Sequence, residues 1–126
     1  MNEFSYQQKI AAMRILLDII HADGVIDARE IFYFEKLKKE FNLSDGDHEV
    51  VKEKNSLVAL SQLKKFDEDQ KKYFAKLMVS MIVVDEDINV NEVELYNIVC
   101  DFCSIDTKFN DIMCEEGLDN SEITFS

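Results

Sequence analysis

The chain has 126 residues, 47% of them hydrophobic, enough for one domain with a packed core and too apolar for a disordered segment. Its formal net charge of −12 is uneven: residues 1–84 carry 14 acidic and 13 basic side chains, whereas residues 85–126 carry 12 acidic side chains and only Lys108. Such a field repels phosphate backbones, which argues against a nucleic-acid binder, and attracts cations or a basic partner.

There is no proline, and the three glycines (Gly24, Gly46, Gly117) fall where turns or a tail are expected, so the pattern predicts an all-helical protein. The first helix is expected over 4–22, where Ile10, Met13, Leu17 and Ile20 follow helical spacing. Leu16 and Ile19 widen that stripe, as expected of a helix central to the core. Gly24 opens a turn in which a positive φ is useful. Asp27 is placed to cap a second helix over 28–41, with Glu30 as its capping-box partner. Ile31, Phe34, Leu37, Lys38 and Phe41 form its stripe, with Lys38 the one polar member. Phe32, Tyr33 and Phe34 span about 200° of that helix. They cannot all face the core, so Phe32 or Tyr33 should be partly exposed.

Asn42 to Asp47 reads as a loop, and a third helix is expected over 48–64. Asp67 or Asp69 caps a fourth over 68–84, whose apolar face runs from Tyr73 to Ile82. A fifth is expected over 90–103, capped by Asn89 with Glu92 three residues on. A short sixth follows over 106–115, then a frayed acidic tail over 117–126.

Two of these segments are copies. Met81 to Glu92 repeats Ile19 to Glu30 at a constant offset of 62, which aligns Asp23 with Asp85, Ile26 with Ile88, Asp27 with Asn89 and Glu30 with Glu92. In each copy an apolar helix runs into an acidic turn, and a new helix starts on a capping residue. Hard cations such as calcium and magnesium take several oxygen ligands. The candidate metal ligands are therefore Asp23, Asp27 and Glu30 in one turn and Asp85, Asp87, Asn89 and Glu92 in the other. If the hairpins pack about a pseudo-twofold axis, the turns can share an ion. Capping is the competing role for Asp27, Glu30, Asn89 and Glu92, because helix starts oppose a cation. The second turn is not an EF-hand, since Val90 stands where that loop needs glycine and Tyr96 where it needs glutamate.

The run Ala22-Asp23-Gly24-Val25-Ile26-Asp27-Ala28-Arg29-Glu30, between an apolar and an aromatic-rich helix, resembles the TerB-like tellurite-resistance family. It is also similar to the N-terminal domain of DjlA-type membrane co-chaperones. The resemblance covers roughly residues 8–105. It implies an all-α bundle of two pseudo-symmetric helical hairpins joined by a bridging helix, here a single TerB-like domain over 1–116 followed by the acidic tail over 117–126. It further implies divalent-cation binding through acidic side chains, no enzymatic activity, and a stress-response role often near the inner membrane face. Glu86 replaces the glycine of the first copy, and Asn89 stands where Asp27 does, so a symmetric two-ion site is not expected.

Other chemistry is weakly signalled. Cys100 and Cys103 form a C-x-x-C at the end of a helix, where the dipole opposes a thiolate, so buried apolar roles are expected. Adding Cys114 still leaves no histidine at zinc-ligand spacing. His21, beside the first turn, can bind a soft metal or titrate near neutrality; His48 shows no sequence partner. Ten of the fourteen basic residues lie between Lys36 and Lys76, mixed with acids as on a solvated face. With no secretion signal or membrane-length apolar run, and three cysteines, the expected setting is the cytoplasm, with any inner-membrane association made through a partner. The expected function is a TerB-like binding or scaffold module. The alternatives are an ion-independent interaction domain that meets a basic partner through its acidic C-terminal third, and, less favoured, a metal-assisted hydrolase.

Overall fold

The computed structural model describes residues 3–22, 24, 26–84, 87–106 and 124–125. Among these residues six helices carry the fold: α1 (Tyr6–Ile20), α2 (Ala28–Glu40), α3 (Asp45–Glu53), α4 (Ser56–Lys64), α5 (Glu68–Val83) and α6 (Val90–Cys103). Two-residue strands β1 (Asp87–Ile88) and β2 (Thr124–Phe125) pair in parallel. The protein is an all-α bundle, as the composition requires. The sixth helix expected over 106–115 lies outside the described residues beyond Asp106, which is not helical.

Nine of the fifteen residues of α1 are buried, too many for one face, so α1 needs cover on most sides. It has that cover, since α1 packs against each of α2 to α6. Its start is fixed by a full capping box. The Ser5 hydroxyl accepts from the Gln8 amide at 3.2 Å, and the Gln8 side chain accepts from the Ser5 amide at 2.8 Å.

The same box recurs 62 residues later, where Asp67 accepts from the Gln70 amide at 2.7 Å and Gln70 accepts from the Asp67 amide at 3.0 Å. The two glutamines then bond each other. Gln8 Nε2 donates to Gln70 Oε1 at 3.3 Å, and Gln70 Nε2 donates to Gln8 Oε1 at 3.1 Å. A residue that bonds its own repeat-equivalent reciprocally lies on a twofold relation between the copies.

The helix ends repeat as well. Asn42 and Ser104, also 62 apart, are the described non-glycine residues with positive φ, at 58° and 59°. Each ends its helix in a left-handed residue, and the next amide reaches back five residues: Leu43 to Lys38 O at 2.9 Å, and Ile105 to Cys100 O at 2.8 Å. Leu43 and Ile105 are both buried there, as this C-terminal motif favours. The duplicated unit therefore runs from Ser5 to Leu43 and from Asp67 to Ile105.

The linker between the copies differs from the expected single helix over 48–64. It is two short helices, broken at Lys54 in extended conformation (ψ 132°), with Asn55 starting the second. Asn55 Oδ1 accepts from the amides of Leu57 and Val58 at 2.9 and 3.1 Å. Arg14 of α1 straddles the break, donating to Lys52 O at 2.8 Å and to Ser56 Oγ at 3.2 Å. Asp18 holds the same guanidinium at 2.8 Å and accepts from Ser56 Oγ at 2.7 Å. These contacts satisfy the end of α3 and the start of α4 at once. Local apolar spacing carries no trace of them. The frayed tail is corrected at two residues, since Thr124 and Phe125 align with Asp87 and Ile88 in the β1–β2 pair.

Asn55→Ala distinguishes the broken linker from a continuous helix. Loss of the cap should destabilise the fold by about 1 kcal/mol in urea melts. In an unbroken helix the same change would stabilise, because alanine is the better helix former.

Candidate functional site

The two acidic turns are built alike where they are described. Asp27 Oδ1 accepts from the Arg29 amide at 2.7 Å, and Asn89 Oδ1 accepts from the Asn91 amide at 2.8 Å and the Glu92 amide at 3.3 Å. Arg29 and Asn91 are themselves repeat-equivalent. Both caps thus point a side-chain oxygen at the positive end of a helix, where it is consumed by amide hydrogens. Gly24 has φ +77°, the conformation its position demanded.

Glu30 and Glu92, expected to serve the helix starts three residues after the caps, are buried. They are 3% and 2% exposed, buried at equivalent places in the two copies. The reciprocal boxes are instead those at Ser5–Gln8, Ser44–Asp47 and Asp67–Gln70. Asp87 contributes its backbone to β1, while Asp23 and Asp85 lie outside the described residues. Among the described residues, no group of three or more His, Cys, Asp and Glu is arranged to hold a metal ion. The turns are not equivalent in cover. Ile26 is 56% exposed, whereas its counterpart Ile88 is fully buried and pairs with the C-terminal strand.

A second cluster lies on the first copy and was signalled in sequence only by the polar member of the α2 stripe. Lys38 is 7% exposed. Its ammonium sits 2.9 Å from Glu35, 3.6 Å from Asp45 and 3.4 Å from His48 Nδ1. The Glu35 hydrogen bond holds the Lys38 ammonium above the ordinary lysine range, against the opposing effect of burial. His48, which had no partner in sequence, packs edge-on against Phe34 with centroids 5.8 Å apart. Beside this cluster a half-open groove of about 290 Å³ runs between α1, α2 and α3. It is lined by the apolar Leu17, Ile31 and Phe34 and by the polar His21, Glu35, His48 and Lys52.

The cysteines behave as buried small residues. Cys103 Sγ donates to Leu60 O at 3.4 Å. Burial pushes both the Cys100 and the Cys103 thiols up to about 11. Of the aromatic run, Phe34 is in the core and Phe32 is 75% exposed, while Tyr33 is partly buried against the core.

No family model matches the chain, and no curated protein matches it. It is similar to the crystal structure of a protein of unknown function from Porphyromonas gingivalis W83, with a TM-score of 0.77 at 22% identity over 92% of this chain and 91% of that one. That likeness shows a shared fold. Among the described residues no helix is long and apolar enough to cross a membrane.

The thiols give a pH-resolved expectation. At pH 8 a shift from 9.0 to about 11 lowers the thiolate fraction about 100-fold. Site-mapped alkylation of Cys100 and Cys103 should therefore be slower in the native protein than in urea by at least that factor. Unfolded thiols release their protons near pH 9 and folded ones near pH 11, so stability should fall as pH rises through that window. Equal native and unfolded alkylation rates would contradict the burial.

Proposed function

We propose that this chain is a TerB-like helical module that works by binding rather than by catalysis, as a scaffold in a stress-response setting. The observation that carries the reading is the pair of equivalent capped turns, Asp27–Glu30 and Asn89–Glu92, because the sequence likeness to that family lies in those turns. Further support comes from the two described thiols, which stay protonated and so are poor nucleophiles. Apolar side chains left exposed on the contacting helices α4 and α6 supply partner surface: Leu57 at 72%, Ile98 at 58% and Phe102 at 47%. In this reading the protein is cytoplasmic and reaches the inner membrane face only through a partner.

A calcium or magnesium ion at the turns would draw on Asp23, Asp85 and Asp87, which precede the caps. Asp27, Asn89, Glu30 and Glu92 would shape the turns, through capping and through burial. The cap oxygens of Asp27 and Asn89, already accepting from helix amides, favour a second reading, in which no ion binds and the acidic C-terminal third meets a basic partner.

Thermal melts in calcium, magnesium, zinc and chelator separate the two. Ion binding should raise the melting temperature by several degrees at saturation. The shift should disappear in an Asp23→Asn, Asp85→Asn double variant. An unchanged melt under every ion condition supports the ion-independent reading.

A further inference from the structure

We propose that the first acidic turn docks an extended segment of another protein, which adds at Ile26 as the C-terminal strand adds to the second turn. The internal repeat supplies the precedent. Ile88 of β1 aligns with Phe125 in a parallel pair and is fully buried. Its repeat-equivalent Ile26 is 56% exposed, and among the described residues no strand pairs with it. An added strand draws affinity from main-chain hydrogen bonds and selectivity from the side chains it meets. Ile26 offers an apolar side chain of that kind, left in solvent where its counterpart is covered.

The backbone beside Ile26 matches the one that already carries a strand. φ and ψ are −89° and 134° at Asp27 and −83° and 130° at Asn89, so the chain leaves both turns in the same extended conformation. Each of these residues then accepts from the amide two positions on, which ties the exit of each turn to a helix start. Both turns thus hold their isoleucine next to a fixed, extended residue. The difference between them lies in what covers it.

A second copy of this chain is not the occupant. Its C-terminal strand already pairs with its own β1, so exchange would cover one isoleucine by uncovering another. A segment from a different protein gains the contact without that loss. Its chemistry follows from the site: an extended stretch with an apolar side chain opposite Ile26, for which residues 121–126, Ser-Glu-Ile-Thr-Phe-Ser, are the template. The proposal deepens the binding reading by naming a partner, and it rests on that reading only in taking the protein to work by contact; no ion is involved.

The probe is the acetylated, amidated peptide Ser-Glu-Ile-Thr-Phe-Ser, titrated into the full chain while backbone amide NMR is followed. Saturable shifts are expected at Gly24, Ile26 and Asp27, with Ile88 unmoved. A scrambled peptide of the same composition should bind at least about tenfold more weakly. Ile26 is exposed, so Ile26→Ser should keep the melting temperature while weakening the peptide at least about tenfold. The proposal is overturned by an absence of saturation below ~5 mM, by equal binding of the scrambled peptide, by shifts at Ile88 in place of Ile26, or by unchanged affinity in Ile26→Ser. None of these outcomes bears on the ion series or on the exposed side chains of α4 and α6, so the binding reading stands or falls separately.

Discussion

A buried primary amide carries two N–H donors and a carbonyl with two lone pairs, and it is tolerated inside a protein only if most of them are used. Gln70, 8% exposed, uses them on the Asp67 amide, on Glu3 O and on both polar atoms of Gln8. That exchange of hydrogen bonds joins the starts of α1 and α5 at one point. From that point each copy builds outward through the same parts: a capped apolar helix, a turn closed by an oxygen cap, and a second helix ended by a left-handed residue. The burial of α1 follows the same rule. Positions 12, 13, 15, 16, 17, 19 and 20 are buried, and so are their counterparts 74, 75, 77, 78, 79, 81 and 82.

Where the copies diverge, the divergence is chemical rather than architectural. Phe34 and Tyr96 occupy equivalent buried places, so the apolar frame is kept. Lys38 and Cys100 also correspond, and there the environments part. The first copy has α3 beside it, bringing Asp45 and His48 to the lysine, while the second holds a thiol kept protonated by burial. The turns part in the same way, since Ile88 is buried next to the C-terminal strand and Ile26 is exposed. A frame used twice thus lets one copy carry a buried polar cluster around Lys38 where the other keeps a buried thiol.

Much of the frame was legible in the sequence because it rests on local rules. Apolar spacing located α1, α2, α5 and α6, and Asn89 marked the start of α6 to the residue. Gly24 announced its positive φ, and the aromatic run foretold the exposure of Phe32. The linker was misread because Val50, Val51, Leu57, Leu60 and Leu63 mimic a single stripe. The break depends on Arg14, some forty residues away in the chain. The burial of Glu30 and Glu92 was hidden because a glutamate at that position ordinarily sits at the surface. The groove was hidden for the same reason as the break, since it needs α1, α2 and α3 in contact, and only the polar Lys38 within an apolar stripe pointed to it.

The central claim is that two copies of one hairpin meet through the amides of Gln8 and Gln70, and a double-mutant cycle measures that meeting directly. Each single change to alanine also removes a capping contact within its own copy, and the cycle cancels those local losses. The account predicts a coupling between Gln8→Ala and Gln70→Ala of about 0.5–1.5 kcal/mol in urea-unfolding free energies. Strict additivity of the two substitutions would contradict it, because residues 62 positions apart that do not touch have no reason to know of each other.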